Sequence, residues 1–199
     1  MKKFIPTFIL ALVMISLASV GFGQTTVDPK ISKGSILSYS VNENGVSFIL
    51  KVSINKISEA DGVEVSWATN ERPARKGTTV MTFSSLSDGT KLLLKPVAGK
   101  EKLATDQLRF FFSNDVVTSL VANRSADIEI DGKENTFLYL ATKAETTDLQ
   151  YNDKKVTVDF TSGDAGDTSI GFITAGDYQL VDSFRSKEIS FTLTSITTK

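Results

Sequence analysis

The chain has 199 residues, 22 Lys and Arg against 23 Asp and Glu, 41% hydrophobic residues, and neither His nor Cys. Those two absences exclude imidazole and thiolate zinc sites, Fe–S clusters, thiol redox centres and His-assisted Ser or Cys nucleophiles, because each needs one of the missing side chains. A near-neutral charge balance sets up no global field for a phosphate backbone, so no nucleic-acid partner is expected.

Lys2 and Lys3 lead into an apolar run from Phe4 to Leu17, and small residues follow at Ala18, Ser19, Gly21 and Gly23. This order of charge, apolar run and small residues is that of a secretory signal peptide. Cleavage after Gly23 makes Gln24 the first mature residue, with Gly21 the competing position. An uncleaved anchor is the alternative, since the run approaches the roughly 17–25 residues that a span needs. No later stretch is long or apolar enough to cross as a helix, and without Cys there is no thiol to carry a lipid. The expectation is a periplasmic or secreted protein, not a lipoprotein, with a signal peptide at 1–23, an N-terminal lead at 24–33 and one β-rich domain at 34–199. A domain of that length can bury enough core to stand without disulfides.

From residue 37 onward the apolar period is two almost everywhere, which is the signature of half-buried strands. Leu37, Tyr39 and Val41 alternate with Ser38 and Ser40, and Asn42-Glu43-Asn44-Gly45 reads as a hairpin turn. In 45–57 the residues Val46, Phe48, Leu50, Val52 and Ile54 share one face, and a strand of that length, extending roughly 40 Å, favours a curved sheet. Val63, Val65 and Trp67 repeat the pattern after the turn Glu59-Ala60-Asp61-Gly62. Further strands are predicted over 78–83, 91–95, 107–112, 127–130, 136–140, 155–160, 169–173, 177–181 and 188–194. Asp-Gly pairs at 88–89 and 131–132 and the loop 162–167 punctuate them. At 113–123 the period changes: Val116, Val117, Leu120 and Val121 recur at helical spacing, with Ser113 or Asn114 placed to cap the start. The fold class is therefore all-β, an antiparallel barrel or half-open barrel of about ten to twelve strands with one short covering helix.

Few constellations carry chemistry. Ser53-Ile54-Asn55-Lys56 fits the Ser-x-x-Lys of penicillin-recognising enzymes, but on a strand residues three apart point to opposite faces, and the partner motifs are absent. Asp159, Asp164 and Asp167 do not have calcium-loop spacing and read as turn composition. The cluster Lys95, Lys100, Glu101 and Lys102, broken by Pro96 and Gly99, reads as a solvated loop. No nucleotide-binding glycine motif occurs. No metal, no cofactor and no catalytic residue are expected, and the chain is not expected to be an enzyme.

Phe110, Phe111 and Phe112 are adjacent on an expected strand and must point to both sides, so Phe111 either packs beneath the helix or lines a cleft. The lysine-led signal, Gln24 at the mature start, the alternating β chain and Phe110-Phe111-Phe112-Ser113 running into a short helix together resemble the uncharacterised exported β-rich proteins of Bacteroidota. Some proteins of this appearance form a half-barrel closed by helices, similar to lipoprotein carriers, and the resemblance implies an apolar cavity. Two functions are then expected. In the first, a non-enzymatic exported domain holds a lipid-like or other apolar small molecule in an open barrel lined by Trp67, Leu92, Leu94 and Phe111. In the second, an interaction or structural module of the envelope has a filled core, meets an envelope protein with its outer surface, and takes no small-molecule ligand. A carboxylate-dependent hydrolase ranks third. The fate of Trp67, Phe111 and residues 92–94 separates the first two.

Overall fold

The computed structural model describes residues 26–141 and 143–199, so the expected signal segment at 1–23 lies outside the described residues. Strands β1 (Ile36–Glu43) and β2 (Val46–Ser58) form the predicted hairpin, joined by Asn44 and Gly45 with φ of 50° and 83°. A two-residue turn of this hand requires positive φ at both positions, which Asn and Gly tolerate. Leu37, Tyr39, Val41, Phe48, Leu50, Val52 and Ile54 all point inward as the alternation demands. Val46 does not: it sits at the turn and is 58% exposed, because the sheet ends before anything can cover it. Near the far end of β2 a bulge between Ile54 and Lys56 brings Ile57 opposite Val63 on β3 (Gly62–Thr69). One inserted residue shifts the face on which the rest of the strand lies.

The middle of the chain departs furthest from its sequence pattern. Strand β4 (Lys76–Met81) stops short of the predicted 83, because Thr82 caps a helix, α1 (Phe83–Asp88), its Oγ1 accepting from Ser85 N at 3.2 Å. The expected strand 91–95 shrinks to β5 (Lys91–Leu92), and the expected loop through Lys100 and Lys102 is strand β6 (Gly99–Lys102), parallel to β4. The expected strand 107–112 splits into β7 (Gln107–Leu108) and β8 (Phe111–Phe112). Phe110 causes the split: its φ of 66° turns the chain from β7, which pairs with β5, to β8, which pairs with β14, and all three phenylalanines become buried. Helix α2 (Asn114–Asn123) forms where its caps predicted, Ser113 Oγ accepting from Val116 N at 3.3 Å, with Arg124 taking the left-handed closing position.

The remaining strands are β9 (Ser125–Ile130), β10 (Lys133–Leu138), β11 (Glu145–Tyr151), β12 (Lys154–Ala165), β13 (Thr168–Ala175), β14 (Tyr178–Arg185) and β15 (Ile189–Thr197). Strand β12 runs through most of the stretch predicted as a loop at 162–167, leaving Gly166 and Asp167 as the turn. Strands β12 to β15 pair in sequence order, and β11 pairs antiparallel with β12 on one side and parallel with β15 on the other. That return closes a ring, so the chain is an all-β barrel with extra strands. From β15 a wing extends through β1, β2, β3 and β4 to β6; from β12 another extends through β10, β9 and β5 to β7. Helix α2 lies over the ring where Gly163 leaves room, since a Cβ there would stand 3.2 Å from Leu120 and from Phe137. The described part of the lead docks on the barrel: Val27 N donates to Thr157 O at 2.8 Å, and Asp28 Oδ1 accepts from Gly176 N at 2.9 Å.

Aromatic side chains fill the space between wing and ring. Tyr39 on β1 sends its hydroxyl across the interior to donate to Val181 O on β14 at 3.1 Å, and Phe191 meets its ring edge-on at 5.8 Å. Phe112 packs on Phe172 with ring centroids 4.7 Å apart. Buried side chains of this size contribute about 1.5–3 kcal/mol each relative to exposure, so this layer adds to the β1–β15 strand pairing in holding wing to ring.

Candidate functional site

The four residues expected to line a ligand cavity are all packed: Trp67 is 3% exposed, Leu92 1%, Leu94 8% and Phe111 0%. Leu92 and Leu94 do come together. They form one wall of a narrow cleft whose other walls are Tyr39, Phe48, Leu50, Phe110 and Phe191. The space left between them is about 30 Å³, enough for one or two waters and far too small for an acyl chain. Phe111 lies elsewhere, with its ring edge-on to Tyr178 at 6.2 Å, and Trp67 lies over Gly77 near the edge of the wing.

Charged side chains close the mouth of the cleft. Glu43, at the end of β1, accepts from Lys95 Nζ at 2.8 Å and from Arg75 Nη2 at 3.3 Å, and Arg75 Nε also reaches Glu71 at 2.8 Å. The guanidinium of Arg75 lies 5.1 Å from the ring centre of Phe48, so its flat face covers the apolar wall. Lys95, foremost through its hydrogen bond, and then Arg75 hold the Glu43 carboxyl below the usual range against the opposing effect of burial. Deeper in, burial first and then the charge of Asp182 push the Tyr39 phenol far up, so it stays a neutral donor to Val181. Asp182 is itself buried, and burial pushes its carboxyl up to about 6.

A second polar group was not visible in the sequence. Arg109, 1% exposed, pairs with Glu101 of β6 and also donates to Thr79 Oγ1 and Leu93 O, each at 3.3 Å. The guanidinium therefore ties β4, β6 and the strap 93–96 together, which corrects the reading of Glu101 as part of a solvated loop, while Lys95 does lie exposed outside any strand. The tetrad at 53–56 has no joint role: Lys56 pairs with Asp61 at 2.9 Å. Asp167 pairs with Lys187 at 2.8 Å on the surface. In sequence Glu43 reads as a turn residue and Lys95 as a loop residue, and Arg75 is not singled out, because the three come from separated segments; the dense charge at Glu71, Arg72 and Arg75 is the one local signal.

On the opposite, solvent-facing side of the same wing lies a shallow trough of about 760 Å³ with a low floor of Ser53, Ser66, Ala68 and Thr78, rimmed by Lys51, Lys76 and Lys100. Trp67 contributes to it, and its Nε1 is a buried donor with no acceptor among the described residues. Comparison with protein-family models, with curated proteins and with solved structures finds no match to the chain.

Proposed function

We propose that the chain is an exported, non-enzymatic barrel module of the envelope that acts through its outer surface and keeps a filled interior. The packing of Trp67, Leu92, Leu94 and Phe111 carries this reading. Pockets for drug-sized ligands run to roughly 300–1,000 Å³, an order of magnitude beyond the cleft beside Leu92 and Leu94. Export rests on the lysine-led apolar segment, and the non-enzymatic reading on the missing His and Cys.

The apolar walls of the cleft favour one other reading, a carrier whose strap at 93–96 swings out to admit a chain. Native mass spectrometry of the purified protein, combined with a fluorescent hydrophobic dye, separates the two. The filled module gives the bare polypeptide mass and no dye enhancement. A co-purified lipid, or saturable dye binding that Leu94→Glu abolishes, supports the carrier and overturns the proposal.

A further inference from the structure

Resting on the reading that the outer surface is the working part, we propose that the edge strand β6 and the lysine-rimmed trough beside it bind an extended acidic segment of a partner protein, which adds to the sheet as a further strand. Among the described residues β6 ends the strand order, pairing with β4 on one side only, and Gly99, Lys100 and Lys102 are exposed. An edge of this kind offers unpaired backbone N–H and C=O groups to an incoming strand.

Charge selects the occupant. Lys51, Lys76, Lys100 and Lys102 make no ion pair among the described residues, whereas the mouth of the inner cleft and the flank of Arg109 are neutralised internally. Register places Ala68 between Lys51 and Lys76, and Thr78 beside Lys100. With strands about 4.8 Å apart and about 3.3 Å per residue, Lys76 stands roughly 10 Å from Lys51 and roughly 8 Å from Lys100, Lys100 and Lys102 stand about 7 Å apart, and Lys51, about 16 Å from Lys100, marks the far rim. The acid on this face is Glu64, opposite Val80 one row further on, where Asn55 Nδ2 reaches it at 3.5 Å. A strand with alternating Glu or Asp would place its carboxylates on the lysine face while its backbone satisfied the edge. A second copy of this chain is disfavoured, because pairing β6 with β6 would oppose Lys100 and Lys102 to themselves; lysines on an edge serve against such pairing. A carbohydrate is disfavoured by the lack of an exposed ring on the trough floor, Trp67 being buried.

The test is a titration of the isotope-labelled protein with a short peptide alternating Glu and Thr, its Gln counterpart, and polygalacturonate, followed by amide NMR shifts. The proposal expects saturable binding of the acidic peptide, at least about tenfold weaker binding of the Gln peptide, and shifts centred on 76–80 and 99–102. It also expects about tenfold loss in Lys76→Glu/Lys100→Glu, a smaller loss in the corresponding Gln variant, and no loss in Lys154→Glu. Equal binding of the two peptides, shifts elsewhere, unchanged binding by the double variant, polygalacturonate binding without peptide binding, or self-association through 99–102 would each overturn it. A co-purified lipid sinks the filled-interior reading whatever the peptide does; a bare mass with no peptide binding sinks this assignment alone.

Discussion

Arg109 and Asp182 are two buried charges with opposite circumstances. Arg109 is compensated, and removing its carboxylate leaves a guanidinium in the core; Glu101→Ala should cost about 2–3 kcal/mol, at or below the bottom of the range for broken buried pairs because Glu101 keeps 24% of its side chain in water. Arg109→Met, which removes the charge and keeps the volume, should cost less; urea unfolding that ranks the two in reverse order would show that Arg109 acts by packing and not by pairing. Asp182 is the extra residue of a bulge between β13 and β14, and no cation pairs with it among the described residues. Its folded carboxyl titrates near 6 against 3.8 unfolded, so the folded state holds the proton more tightly. Stability from this group is present below about 4 and is lost as pH rises to about 6, a difference on the order of 1–3 kcal/mol. Asp182→Asn should therefore raise Tm at pH 7.5 and change it little at pH 4. A lower Tm at pH 7.5 would mean the ionised carboxylate has a stabilising role.

At the scale of elements, the meeting of β4 and β6 depends on Gly77. A Cβ there would stand 2.6 Å from Gly99 O, 2.8 Å from Trp67 Cζ2 and 2.9 Å from Val97 O, two of them backbone atoms that cannot turn aside. Gly77→Ala should push β6 off the sheet, cost about 1–3 kcal/mol and red-shift the emission of Trp67, the one tryptophan in the chain. Unchanged emission would contradict the close packing described. What the sequence revealed follows from the same physics. β1, β2 and β3 bury one face each, so their alternation was direct, and α2 announced itself through its helical spacing and the cap at its start. Helix α1 is a single short turn-and-a-half whose start depends on Thr82, too brief for a period to register. Strand β11 buries only Leu149 among polar neighbours, and β6 is mostly lysine and glycine; both are strands because of what pairs with them. The cleft was half legible: Leu92 and Leu94 were named, but Trp67 and Phe111 were sent elsewhere by register and by the left-handed turn at Phe110, which no side-chain pattern encodes.

For the whole molecule, β11 is the closure. Its contact with β15 is short, Gln150 opposite Ser195 and Tyr151 opposite Ile196, yet it converts an open run of strands into a ring around a packed interior. The lead reinforces the same region, since Tyr151 Oη lies 3.4 Å from both the backbone nitrogen and carbonyl oxygen of Lys30. If the ring is closed and filled, its strands open together, because no stable intermediate exposes one wall without exposing the aromatic layer behind it. Amide hydrogen exchange measured strand by strand reads this directly. The bonded amides of β11 should exchange as slowly as those of β12 to β15, through one global opening. Exchange of β11 at loop rates, while β12 and β15 stay protected, would mean an open barrel and would contradict the closed ring.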